Sequence, residues 1–207
     1  MELFAFDIET DTSDGGGLDP RTSPIVSLAV WSPQHQVVID GGSEADRIRR
    51  FLAVLDELSP AVAVTWNGQM FDIPYIADRA ASAGIDTGFA LVADRSIVAK
   101  YPPLPGHGGG YRARLRHHRH VDVAGAYRSY ALGRRELGRD GWALKPVCRS
   151  LGIDMVEVDR RAIHLLAAEQ NRAYNLSDAR GTYLLGERLG ARLEALIDQV
   201  PDMNPGA

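Results

Sequence analysis

Leu3-Phe4-Ala5-Phe6-Asp7-Ile8-Glu9-Thr10 sets two carboxylates two positions apart inside an apolar run. Side chains of a strand alternate between its faces, so Asp7 and Glu9 share one face while Phe4, Phe6 and Ile8 share the other. The aromatic face belongs to a core. Two acids side by side on a core strand repel each other and resist desolvation. A chain that tolerates this arrangement is expected to hold a cation there. Oxygen-only donors suit a hard ion, magnesium or manganese.

The chain around this strand has 207 residues, 45% of them apolar and 24% charged, enough for one soluble domain with a full core. Its formal net charge of −4 is a poor global signature for a partner rich in phosphate. A cluster of acids accounts for part of that charge and turns attractive to phosphate once metal fills it. The single cysteine, Cys148, excludes an internal disulfide and fits a buried thiol in a reducing cytoplasm. Met1-Glu2 is not followed by the basic and apolar regions of a signal peptide. No apolar run approaches the ~18 residues of a membrane span. A cytoplasmic protein without a membrane partner is expected.

Outward from the first strand, Ile25–Trp31 and Gln36–Asp40 read as two more strands of an antiparallel meander. Ser43 caps a helix whose Ile48, Phe51, Leu52, Leu55 and Leu58 recur at helical spacing until Pro60. Ala61–Trp66 is a short buried strand, and a helix to about Ala83 follows the turn at Asn67-Gly68. Glycines and prolines between Pro102 and Gly110, then the basic run Arg112–His120, predict a mobile basic loop over residues 100–120. Further helices are expected near Val123–Ala131, Leu144–Leu151 and Arg160–Gln170. A last long one runs from about Arg172 to Ile197, with Leu176, Tyr183, Leu184, Leu189, Leu193, Leu196 and Ile197 on its apolar face. The pattern predicts a single α/β domain over residues 1–200, with a tail over 201–207. Its mixed central sheet combines a meander with parallel strands.

Two further acid-bearing motifs stand out. In Asn67-Gly68-Gln69-Met70-Phe71-Asp72, the apolar run before Asn67 places it at a strand end, and Asp72 falls in the first turns of the next helix. Strand ends are where open α/β sheets put their sites. In Tyr174-Asn175-Leu176-Ser177-Asp178, Tyr174 and Asp178 are four apart and share one helical face. A tyrosine hydroxyl there can orient a water beside a carboxylate-bound metal.

These three motifs, in this order and with these long gaps, resemble the exonuclease motifs of the DEDD (DnaQ-like) 3′–5′ exonucleases. The resemblance covers about Met1–Ile197 and is closest to the exonuclease domain of family B DNA polymerases. The tyrosine subclass is indicated, since Ala173 stands where the histidine subclass has its histidine. The resemblance implies a ribonuclease H-like fold and two divalent ions, Mg2+ or Mn2+, held by Asp7, Glu9, Asp72 and Asp178. Asp7 would bridge both, Glu9 and Asp178 would complete the first, and Asp72 would help hold the second. Tyr174 would position the attacking water. Thr10, Asn67 and Phe71 would hold the terminal nucleotide. The implied reaction is hydrolysis at the 3′ end of single-stranded DNA (or RNA), with DNA favoured. A separate polymerase or repair partner is then conceivable, while the pathway stays open. The rivals are an oligonucleotide-degrading exoribonuclease, an endonuclease on the same fold, and an inactive nucleic-acid-binding module.

Other features read more plainly. Asp122 is taken as a helix-starting residue and left out of the ligand set. His117, His118 and His120 match no closed zinc site. Trp66 is read as core. Arg112, Arg114 and Arg116 either form a solvated face or grip the strand's phosphates, in which case their joint removal flattens the salt dependence of binding.

Overall fold

The computed structural model describes residues 1–11, 13, 18–97, 101–132, 143–158 and 167–197. Strands β1 (Leu3–Thr10), β2 (Ile25–Trp31) and β3 (Gln36–Ile39) precede helix α1 (Glu44–Glu57), strand β4 (Val62–Thr65) and helix α2 (Asp72–Ser82). Strands β5 (Phe89–Asp94), β6 (Gly110–Leu115) and β7 (His118–Asp122) follow. Helices α3 (Ala124–Leu132), α4 (Leu144–Ser150), α5 (Ala168–Leu189) and α6 (Ala191–Ile197) complete the described chain. The seven strands make one sheet in the order β3-β2-β1-β4-β7-β6-β5. β1, β4 and β7 are mutually parallel at its centre, and the strands on either side run antiparallel. The mixed α/β sheet expected from the meander and the buried strands is present.

The alternation of β1 decides the layering. Phe4, Phe6 and Ile8 pack with Phe51 and Leu55 of α1 and Ile73 and Ile76 of α2. Each such buried side chain stabilises the fold by about 1.5–3 kcal/mol. Ala5 faces the opposite layer, where Val147 and Cys148 of α4 meet Leu185 and Leu189 of α5. Asp7 and Glu9 share that second face, toward α5. Helix α5 can lie close to the strands because its sheet side carries small residues. A Cβ at Gly186 would sit 3.2 Å from both Val64 methyls. Cys148 is fully buried, and burial pushes its thiol up to about 12, so it behaves as a core residue.

Two expectations need correcting. The basic run is not a loop: residues 110–122 form the β6–β7 hairpin, with Leu115 opposite His118 and Arg116-His117 at the turn. Before it, residues 101–109 lie against the body, with Leu104 buried. His107 shares hydrogen bonds with Asp78 (2.9 Å) and with the Tyr111 hydroxyl (2.6 Å). The histidines pin this hairpin down: neutral His118 donates to Leu55 O and accepts from Ala61 N. The expected long helix starts earlier, at Ala168, and breaks at Gly190, whose φ is +51°. On it Leu176 and Leu184 are only half-buried, whereas Leu185 is fully buried. The helix expected near Arg160–Gln170 lies largely outside the described residues, and its last three positions open α5. The tail over 201–207 also lies outside them. Among the described residues no helix is long and apolar enough to cross a membrane.

Candidate active site

Asp7 comes from the middle of β1 and Glu9 from two residues on, just before a register shift at Glu9/Thr10. Helix α5 crosses this strand and brings Asp178 over it. Carboxylate oxygens of Asp7, Glu9 and Asp178 lie within 4.8 Å of one another. Asp72 is not one of this trio. It opens α2 from the other side of the sheet and accepts Ile8 N–H of β1 at 3.3 Å. It is close enough for its charge to raise the proton affinity of Asp7.

The electrostatics are those of crowded acids, Asp72 and Asp178 buried and Asp7 and Glu9 half-buried. Burial first, then the charges of Asp72, Asp178 and Glu9, hold the Asp7 carboxyl well above the usual carboxylate range, while Lys145 opposes them. Burial also pushes Asp72 up to about 7, with a smaller push from Asp122, against the lowering effect of backbone N–H donors. Groups this reluctant to ionise together gain most from a cation. Three converging carboxylates with oxygen donors only fit a hard divalent ion.

Sequence reasoning missed three members of the site. Lys145, buried at the start of α4, donates to Asp178 Oδ1 at 2.6 Å and to Val156 O at 2.7 Å, and its Nζ lies 3.7 Å from the centre of the Tyr174 ring. One ammonium thus touches both side chains of the third motif. Asn175 is fully buried beside Tyr174. With its amide oriented to satisfy both neighbours, it donates to Asp7 Oδ2 at 3.2 Å and accepts from Ser27 Oγ at 2.6 Å. Asp122 does more than start a helix. It takes the N–H of Ala124, the first residue of α3, and also two N–H groups of the turn after β4. Neither Lys145 nor Asn175 carried a signal of its own; Asn175 was marked only by lying between Tyr174 and Asp178.

The remaining sequence candidates sit around the rim. Thr10 ends β1 and shares a hydrogen bond with Tyr75. Asn67 adopts a left-handed backbone (φ +67°) immediately after β4. Phe71 precedes α2 half-buried, its ring 5.2 Å from Tyr75. Trp66 packs at the edge of the second core layer, 6.3 Å from Tyr127. The arginines of the hairpin divide: Arg116 turns away to Asp56 and Thr87 O, while Arg112 bonds Asp94.

Residues 37–92 match the model of the DNA polymerase family B exonuclease domain. The chain is 27% identical over 217 residues to a DNA polymerase of Thermococcus litoralis and 28% identical over 217 residues to one of Thermococcus kodakarensis. Each alignment covers 96% of this chain but only 12% of the relative. The solved family B DNA polymerase of Pyrobaculum calidifontis superposes with a TM-score of 0.65 at 24% identity, over 96% of this chain and 26% of that one. The chain therefore spans a minor part of the polymerases it matches. The chain shares with the solved polymerase a mixed sheet, ribonuclease H-like in its layout, and part of its sequence is similar to the exonuclease domain of family B DNA polymerases.

Proposed function

We propose that this domain is a metal-dependent 3′–5′ exonuclease that releases nucleotides from the 3′ end of single strands, DNA in preference to RNA. The observation that carries the reading is the meeting of Asp7, Glu9 and Asp178 at the centre of the sheet, with Asp72 charged against Asp7 from across it. The similarity of the chain to DNA polymerases, and of residues 37–92 to an exonuclease domain, supports the same chemistry and a DNA substrate.

Asp7, Glu9 and Asp178 would hold one divalent ion, and Asp7 with Asp72 a second, Mg2+ or Mn2+. Bound there, such ions supply an ionised water and a counter-charge for the leaving 3′-oxygen. The chain's own residues do the rest. Lys145 holds Asp178 and Tyr174 in one geometry. Asn175 fixes the Asp7 carboxylate. Tyr174, one turn before Asp178, would orient the attacking water. Thr10, Asn67 and Phe71 would receive the terminal nucleotide.

The test is digestion of matched single strands, DNA and RNA, labelled at the 5′ end, with Mg2+ or Mn2+. Stepwise shortening by wild type and none by Asp178→Ala is expected. A circular single strand should survive, and its digestion would point to an endonuclease. Absent cleavage by both proteins under both metals would leave a binding module instead.

A further inference from the structure

One half-buried acid remains without a part in that chemistry. Asp122 ends β7, directly beside the end of β4, where Thr65 is its register partner. Its Oδ1 accepts Asn67 N–H at 3.0 Å and Ala124 N–H at 2.9 Å, and its Oδ2 accepts Gln69 N–H at 3.1 Å. Ala124 alone would account for a helix-starting acid. The other two donors lie 55 and 53 residues away in sequence, in the turn that carries Asn67.

That turn has little freedom. Asn67 sits at φ +67°, in the left-handed region that asparagine tolerates better than other residues with a Cβ, and its backbone is bonded there on both sides. A Cβ at Gly68 would fall 2.3 Å from Thr65 Oγ1, so no other residue fits there. Thr65 Oγ1 is itself fixed by His120 Nε2 at 2.7 Å, and burial pushes the His120 imidazole down to about 3, keeping it neutral. Beyond the turn, Asn67 O accepts the N–H of Met70 and of Phe71, and Gly68 O accepts that of Ile73. The turn is thus continuous with the start of α2, where Asp72 stands. Strand β7 grips it with two alternate residues, His120 through Thr65 and Asp122 through the backbone.

We infer that Asp122 is a positioning residue for the 3′-terminal nucleotide: it holds the Asn67–Gln69 turn in its substrate-receiving shape without touching metal or reacting phosphate. The inference rests on the exonuclease reading above and on Asn67 meeting the substrate. The bonding pattern sets Asp122 apart from a metal ligand. Both of its oxygens are engaged by N–H donors, and it stands outside the Asp7, Glu9 and Asp178 trio. Preorganising a recognition turn lowers the cost of binding rather than the barrier to chemistry.

Two variants of the full chain test it. Asp122→Asn keeps the shape but sets an amide donor against at least one backbone donor. Asp122→Ser keeps an acceptor for Ala124 and releases the turn. For both, KM and kcat on a 5′-labelled single strand, Mn2+ binding by calorimetry and amide hydrogen exchange at Gln69 are measured. The expected result is a KM raised roughly tenfold with kcat within about threefold, unchanged Mn2+ affinity and faster exchange at Gln69. Unchanged KM overturns the inference. So does a fall in kcat and Mn2+ affinity at constant KM, which would make Asp122 part of the metal site. Failure of both variants to fold, read by circular dichroism, would reduce Asp122 to a folding residue and likewise overturn it. Should wild type cleave nothing, the exonuclease reading fails by itself. The affinity of each variant for a fluorescent single strand, by anisotropy, then decides Asp122 in the same directions as KM.

Discussion

Lys145 Nζ stands 2.6 Å from Asp178 Oδ1 with the ring of Tyr174 beneath it, so the third acid reaches the cluster already paired with a cation. The pair is almost wholly buried. Removing one member of a buried ion pair leaves the other uncompensated. Lys145→Met should cost the metal-free protein about 3 kcal/mol, and saturating Mn2+ should restore much of that loss. Chemical denaturation with and without Mn2+ measures both. A variant as stable as wild type in the absence of metal would show that the ammonium offsets little.

Asp72 gives a pH signature. Its folded value, about 7, lies above its ordinary one, so the fold binds this proton more tightly than the unfolded chain does. The acid costs nothing while protonated in both states, below pH ~4, and its penalty grows as pH rises through 7. Asp72→Asn, whose side-chain oxygen can still accept Ile8 N–H, should leave metal-free stability unchanged at pH 4 and raise it by about 3 kcal/mol at pH 8. His118 and His120, both lowered by burial, favour higher pH below 6.5, but they act equally in the two proteins and cancel in the difference. A variant no more stable than wild type at pH 8 would refute the assignment.

Tyr174 tests the placing of water. Tyr174→Phe keeps the ring under Lys145 and loses only the hydroxyl. Single-turnover cleavage should slow about tenfold, while Mn2+ affinity and thermal stability stay at wild-type levels. Equal rates would remove the hydroxyl from the mechanism.

The hairpin arginines should behave unequally. Arg116 is spent on Asp56 and Thr87 O, so Arg116→Ala should lower stability by under about 1 kcal/mol and leave the salt slope of strand binding untouched. A flattened slope in a binding titration would return Arg116 to the phosphate-gripping set.

What was legible beforehand follows from how local each signal is. The alternation of Leu3–Thr10 and the spacing of Ile48 to Leu55 are properties of neighbouring residues, and β1 and α1 were readable from them. Strands β6 and β7 also alternate, with Ala113 and Leu115 inward, but arginines fill the outward positions and the turn Arg116-His117 lacks glycine, asparagine or aspartate. The run therefore read as basic loop rather than hairpin. Exposed β5, with Val92 half in water, had no periodic face to betray it. At the site, the acids announced themselves because repulsion makes paired carboxylates conspicuous. Lys145 did not: its meaning depends on α4 packing against α5, 33 residues on. Asp122 reads as a cap in sequence because the bond to Ala124 is local, while its bonds to Asn67 and Gln69 are not.

The facing of β1 carries a last consequence. Phenylalanines and carboxylates take turns along one strand, held in frame between β2 on one side and β4 on the other. Deleting a single residue just upstream of Asp7 would turn over the part of the strand that follows, driving both acids among Phe51 and Leu55 and Ile8 toward the helix that bears Asp178. A loss of one residue at this point should be lethal to the domain, because every later side chain of the strand would face the wrong layer.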